Sequence, residues 1–307
     1  MKAIVVGAVE STRVAVTALG QSRQWDLAAV FTLPPDLAHR HSDFVDLSGE
    51  AEKAGARMVR TANINSDVAL QAIRDLAPDY IFVIGWSQIC GAEFRATARR
   101  GVVGYHPAPL PRLRGRAVIP WTILLDEPIS ASSFFLIDAG VDSGPLLGQR
   151  YFHLAPDETA ATLYAKHMAA LEAMLPGVLE DIAGGSPTLT IQDERCATYA
   201  ARRRPEDALI DWSAPGSAIW RCVRACGHPY PGAWTSYAGE KIVIEEAALV
   251  PLRHHAAAMP GQIVERMAEG FVVRCGDDQG LHVLRWQTAR EAPLPNHAIL
   301  GRAKAAA

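Results

Sequence analysis

Between residues 1 and 110, short apolar runs alternate with longer segments whose apolar residues recur near a spacing of about 3.6. That alternation restricts the first part of the chain to βαβ units around a mainly parallel sheet, because parallel neighbours need a crossover and a helix commonly supplies it. The runs at Ala3–Val6, Ala28–Thr32, Arg57–Val59, Tyr80–Ile84 and Val102–Tyr105 are predicted strands. Thr12–Leu19, Asp46–Ala54 and Ser66–Leu76 are predicted helices, the latter two beginning close to Ser or Asp caps. The first strand-to-helix turn, Gly7-Ala8-Val9-Glu10-Ser11, lacks the three-glycine dinucleotide pattern. No glycine-rich phosphate loop ending in Gly-Lys-Ser/Thr occurs either, so nicotinamide and nucleoside triphosphate chemistry lose their best support.

Further along, a helix is expected over Ala117–Asp126, with Pro120 near its first turn, then strands at Ser132–Ile137 and Leu146–Phe152. A long helix from about Glu158 to Ile182 is ended by Gly184-Gly185. Residues 183–210 read as a connection, from Gly184-Gly185-Ser186-Pro187 to the basic run Arg202-Arg203-Arg204-Pro205. Beyond it a short helix at about Pro215–Ala225 precedes β runs at Trp234–Tyr237, Ile242–Leu249, Gln262–Glu265, Phe271–Cys275 and Leu281–Trp286, the pattern of a small β-barrel. The expected organisation is an α/β domain over residues 1–185, a linker over 186–205 and a β-rich domain over 206–307 that closes on a frayed Ala-Lys-Ala-Ala-Ala tail.

Composition narrows the function classes. At 49% hydrophobic and 21% charged residues with a net charge of −3, the 307-residue chain is not a disordered one, and it has no overall field to gather nucleic acid or an anionic membrane. Cysteines at 90, 196, 222, 226 and 275 are odd in number and scattered, which suits a reducing cytoplasm better than a disulfide framework. The apolar run in Met1-Lys2-Ala3-Ile4-Val5-Val6-Gly7 is too short for a signal segment, and no run reaches the ~18 apolar residues of a spanning helix. A cytoplasmic protein with no membrane partner is expected. Cys222 and Cys226, with His228 nearby, lie on one helical face, a pattern that suits packing as well as zinc, and no metal is expected. Trp212, Trp220, Trp234 and Trp286 are assigned to packing rather than base stacking.

Constrained residues concentrate between 101 and 148: Gly104-Tyr105-His106-Pro107, Leu110-Pro111, Arg114-Gly115-Arg116, then Asp138-Ala139-Gly140-Val141-Asp142-Ser143-Gly144. His106 closes an apolar strand at its C-terminal end, the edge where open α/β sheets place ligands. A histidine there is a candidate general acid or base, and Asp142 a candidate partner that would fix its tautomer. On the residues alone, a strand-end histidine is more often a hydrogen-bonded structural group than a catalyst, and Asp138 and Asp142 read equally as turn formers. Leu33–Ser42, with His39 and His41, follows the second strand and reads as a solvated loop.

At this stretch the sequence resembles the 10-formyltetrahydrofolate-dependent formyltransferase family, which includes methionyl-tRNA, glycinamide ribonucleotide and amino-sugar N-formyltransferases. The resemblance continues through Tyr199-Ala200-Ala201-Arg202, Ile210-Asp211-Trp212, Arg221-x-x-Arg224-Ala225 and Pro229-Tyr230-Pro231-Gly232-Ala233-Trp234, and so covers nearly the whole chain. It implies a Rossmann-like formyltransferase domain and an OB-like C-terminal domain. It also implies 10-formyltetrahydrofolate as co-substrate, His106 and Asp142 as the catalytic pair, and a pterin pocket lined by Gln88, Ile89 and Cys90 together with Asp138, Ala139, Gly140, Val141 and Asp142. Arg114 and Arg116 are implied on the acceptor side.

One departure stands out: the family pattern is Asn-x-His, and here the position two before the histidine is Gly104. Residues two apart on a strand share a face, so Gly104 is expected to leave a hole beside His106, while Tyr105 points away. The acceptor expected first is a nucleotide-linked amino sugar, whose diphosphate calls for local arginines. A small amine such as hydroxyornithine comes next, and methionyl-tRNA is disfavoured by the net acidic chain. A non-catalytic folate-binding protein is the alternative that Gly104 leaves open.

Overall fold

The computed structural model describes residues 1–252, 257–290 and 292–302; the expected Ala-Lys-Ala-Ala-Ala tail lies outside the described residues. The chain forms two compact units, one of residues 1–118, 129–153 and 164–201, the other of 119–128, 154–163 and 202–307.

In chain order the first unit begins with β1 (Lys2–Val6), α1 (Glu10–Gln21), β2 (Asp26–Thr32), α2 (Ser48–Lys53), β3 (Arg57–Arg60), α3 (Asp67–Leu76), β4 (Tyr80–Val83), α4 (Ala92–Arg95) and β5 (Gly101–His106). There follow β6 (Arg114–Gly115), α5 (Val118–Leu124), β7 (Ile129–Leu136), β8 (Leu146–His153), α6 (Ala160–Ala183) and β9 (Tyr199–Ala200), with α5 and the start of α6 counted partly in the second unit. The sheet runs β3-β2-β1-β4-β5-β7-β8, parallel from β3 to β5 and antiparallel at β5–β7 and β7–β8. The central strand β1 is covered on both faces, as a parallel strand requires. Ala3 and Val5 enter a cluster with Leu19, Leu171 and Leu175, whereas Ile4 and Val6 enter one with Leu70, Ile73 and Phe94. The alternation of the strand therefore assigns its residues to two separate cores. α3 starts where a cap was expected, with Ser66 accepting from the Ala69 amide.

Two segments read as irregular are ordered by specific bonds. Pro35–Arg40 forms a 3-10 turn, and Asp43 just beyond it accepts a 2.5 Å bond from the Tyr164 hydroxyl on α6. In the stretch expected as linker, Thr190 bridges Leu146, and β9 pairs with β6 in parallel.

The second unit adds α7 (Gly216–Cys226) and five antiparallel strands: β10 (Ala233–Tyr237), β11 (Glu240–Pro251), β12 (Ile263–Arg266), β13 (Phe271–Arg274) and β14 (Gln279–Thr288). Their order is β10-β11-β14-β13-β12. The buried stripe of α7, Ile219, Val223 and Cys226, recurs at helical spacing and packs mainly on β11. The Trp212 indole donates to Thr235 at 2.9 Å in the interior, and Trp286 sits edge-on to Phe271, so both rings serve packing. Among the described residues no helix is long and apolar enough to cross a membrane.

Candidate active site

β5 ends on His106, and the pleat turns Tyr105 to the other face, where its hydroxyl lies 2.9 Å from Ser132 Oγ and donates to the His167 carbonyl at 3.1 Å. His106 is buried, with Nε2 placed 2.8 Å from the Leu113 carbonyl. A carbonyl only accepts, so Nε2 carries the hydrogen and Nδ1 of the neutral ring carries the lone pair. Nδ1 faces Asp142 Oδ2 at 3.7 Å, beyond hydrogen-bond distance, as expected for two acceptors. One proton added at Nδ1 converts this contact into a charge-assisted pair. The arrangement is therefore suited to take up a proton and give it back.

Asp142 is held at a left-handed φ of 51° in the turn after β7. Within that turn Asp138 Oδ1 accepts from the Gly140 amide and from Ser143 Oγ. At Gly144 any Cβ would lie 1.7 Å from the Leu136 carbonyl, so the turn closes only with glycine there. The Gly115 amide donates to Asp142 Oδ2 at 2.8 Å, and the Gln192 amide donates to the Asp142 and Gly144 carbonyls at 2.8 and 2.7 Å. Gly115 stands in the Arg114-Gly115-Arg116 motif with no role assigned to it, and Leu113 and Gln192 carry no sequence signal of their own. Two contribute through the backbone, and Gln192 is a polar residue in a segment with no periodic signal.

The loop after β4 carries Gln88, Ile89 and Cys90. Gln88 braces it, accepting from the Ile64 amide and donating to the Ala62 carbonyl. Burial pushes the Cys90 thiol up to about 12, opposed by Arg95 and reinforced by the Asp142 carboxylate, so this loop and the Asp138–Asp142 turn are neighbours. Ile89 is 79% exposed and Val141 45%, which leaves two aliphatic side chains in water on these two loops.

Arg114 takes a place other than the one expected on the acceptor side. It is fully buried, and all five N–H groups are used: Nε and Nη2 on Gln192 Oε1, Nη1 and Nη2 on the Glu194 carboxylate, and Nη1 again on the Tyr199 hydroxyl. A guanidinium with no free donor is an anchor and not a ligand grip. Arg116, one residue past the Gly115 amide that holds Asp142, is exposed, and its charge reaches His41. Burial lowers the His41 pKa, Asp43 opposes that, and Arg116 and Arg40 lower it further, so the loop after β2 and Arg116 converge at the same end of the sheet.

Residues 1–179 match the formyl transferase family and residues 203–303 match the formyl transferase C-terminal domain. The chain belongs to the formyl transferase family. It is 32% identical over 265 residues to the methionyl-tRNA formyltransferase of Streptomyces coelicolor, over 86% of this chain and 84% of that one. Its fold is similar to that of the N-formyltransferase from Helicobacter canadensis in complex with folinic acid and dTDP-3-aminofucose, with a TM-score of 0.65 at 18% identity over 92% of this chain and 99% of that one. It is also similar to HypX from Aquifex aeolicus in complex with tetrahydrofolic acid, with a TM-score of 0.62 at 16% identity, covering 91% of this chain but spanning only 43% of HypX.

In this formyl transferase the space beside His106 at Gly104 is not the expected hole. Phe135 lies opposite Gly104 in the β5–β7 ladder, and a Cβ at 104 would meet Phe135 Cζ at 2.7 Å and Ile137 Cγ1 at 3.0 Å. Two apolar side chains occupy the position where the family pattern has Asn. Gly104→Asn is accordingly expected to overpack the strand pair and destabilise the protein by about 1–3 kcal/mol. Phe135→Ala removes a buried core ring and is costly alone, but because the two sites are in contact the double variant should lose less stability than the sum of the two single losses. Chemical denaturation of the single and double variants checks this, and a Gly104→Asn protein as stable as the parent would rule it out.

Proposed function

We propose that this formyl transferase moves the formyl group of 10-formyltetrahydrofolate to a primary amine, most favourably on a nucleotide-linked 4-amino sugar, with His106 and Asp142 handling the proton. The observation that carries the reading is the buried His106 imidazole with Nε2–H committed to Leu113 and its Nδ1 lone pair facing a carboxylate at 3.7 Å. The acceptor amine attacks the formyl carbon and becomes a substituted ammonium beside a tetrahedral alkoxide. His106 Nδ1 takes the ammonium proton, and Asp142 stabilises the imidazolium that results. When the alkoxide collapses and the bond to N10 breaks, the same proton passes to N10, so the ring returns to its starting form. With Phe135 and Ile137 against Gly104, no side chain at position 104 donates to the alkoxide. Removing one such donor costs roughly 3 kcal/mol in other enzymes, so a modest turnover is expected.

The pterin fits residues that are otherwise costly to leave in water: Ile89 and Val141 are exposed aliphatics on neighbouring loops, and a flat heterocycle would cover them. On the acceptor side, exposed Arg116 with His41 and Arg40 nearby suits a diphosphate. Methionyl-tRNA is the second reading, favoured by the 32% identity to the Streptomyces coelicolor enzyme. Against it stands the net charge of −3, and within the Arg202–Arg204 run Arg203 is already engaged with the Asp207 carbonyl and the Trp121 ring.

The test follows tetrahydrofolate release from 10-formyltetrahydrofolate with nucleotide-linked 4-amino sugars, hydroxyornithine and methionyl-tRNA as separate acceptors. Turnover is expected with an amino sugar. Turnover confined to hydroxyornithine or methionyl-tRNA reassigns the acceptor, and folate binding without any transfer overturns the catalytic reading.

A further inference from the structure

Between residues 184 and 200, Gln192 is the one buried position in a run of exposed and half-exposed ones. Its side-chain amide is saturated: Oε1 accepts from Nε and Nη2 of Arg114 at 3.2 and 2.9 Å, and Nε2 donates to the Asp142 and Gly144 carbonyls at 2.8 and 2.7 Å. Because a guanidinium only donates and a carbonyl only accepts, the orientation of the amide is determined by its partners. Arg114 is in turn fixed by the Glu194 carboxylate at 2.7 and 2.8 Å. The residue after it, Gly115, donates its amide to Asp142 Oδ2. Consecutive residues of β6 thus grip Asp142 twice, directly at the carboxylate and through Gln192 at the backbone.

That double grip has a physical purpose. Asp142 sits at φ 51°, a conformation that a non-glycine residue holds only when its surroundings over-determine it. A backbone free to relax there would rotate the carboxylate away from His106, whose Nδ1 is 3.7 Å distant. We infer that Gln192, clamped by Arg114, is a positioning residue that holds the Asp142 turn so that its carboxylate stays between the Gly115 amide and His106. The inference rests on the proposed roles of His106 and Asp142. It adds a residue from the segment between α6 and β9 to the machinery.

The experiment uses full-length Gln192→Met, which keeps the volume and removes both donors, and Gln192→Glu, which keeps the acceptor bonds to Arg114 and loses the same donors. Backbone amide exchange by NMR reads the Gly115 N–H, with Val103 and Phe134 in the sheet as internal controls. Exchange at Gly115 about 10-fold faster with the controls unchanged is the expected result. Unchanged exchange at Gly115, or equal acceleration everywhere, overturns the inference in favour of a merely structural role. Gln192→Glu gives the same reading if Gln192→Met does not fold. In kinetics with the acceptor that the parent enzyme uses, kcat is expected to fall about 10- to 100-fold while the KM for 10-formyltetrahydrofolate stays within about 2-fold. An unchanged kcat overturns it as well. A parent enzyme that transfers formyl to no acceptor refutes the proposed function separately, because the exchange measurement needs no acceptor.

Discussion

Replacing His106 with alanine is expected to lower kcat/KM for formyl transfer by about 1000-fold, within the range that general acid–base groups contribute. The expectation follows from the ring's two commitments. Nε2–H is bonded to Leu113, so the only nitrogen free to accept a proton is Nδ1, and alanine removes it. His167, the imidazole on the opposite face of the sheet, cannot substitute. His167 has its Nδ1 bonded to Ser132 and its Nε2 buried without a partner. Asp142→Asn is the finer probe. The amide oxygen can still accept from the Gly115 N–H, so the turn should persist while the charge that stabilises the imidazolium is lost, and a drop of about 100-fold is expected. Steady-state kinetics paired with denaturation curves separates chemistry from folding. Full turnover in either variant would sink the proton-handling mechanism.

Acid should destabilise the protein through His167. Burial, with a smaller contribution from the neighbouring His106, holds this imidazole down to about 3, whereas an unfolded histidine titrates near 6.5. Between those two values the unfolded chain binds a proton that the folded chain refuses. The contribution of His167 is therefore full above pH 6.5 and is lost progressively as the pH falls toward 3, at roughly 1.4 kcal/mol per pH unit. The structural reason is plain: His167 is fully buried, with its ring edge-on to Phe152, and a proton at Nε2 would create a donor and a charge with nowhere to bond. Urea unfolding between pH 7 and 5 should show a steeper loss of stability in the parent than in His167→Leu, by about one proton. Equal slopes in the two proteins would refute it.

Much of the α/β unit was legible because its signals are local. The five parallel strands appear within a few residues of their expected places, and α1 and α3 at their amphipathic segments. Strand alternation alone sent Tyr105 and His106 to opposite faces. The errors share one cause. Arg114 was placed on the acceptor side by the family resemblance; its bonds and burial depend on Gln192 and Glu194, which are 78 and 80 residues away in the chain. Gly104 looked like a hole because the residue that fills it, Phe135, lies on another strand whose register no local pattern discloses.

The sequence by itself therefore determined the βαβ order, a run of short strands in the C-terminal part and, through linked motifs, membership in the formyl transferase family. Period-2 and period-3.6 patterns are properties of neighbouring residues and survive in one dimension. Only the tertiary structure decided which nitrogen of His106 faces Asp142, that Arg114 is an anchor, that Phe135 closes the space at Gly104, and that Gln192 reaches the Asp142 turn. Each of these depends on side chains brought together across tens of residues, and their bonding is settled by burial: once water is excluded, every donor must find an acceptor, and the pairs that result cannot be read from spacing.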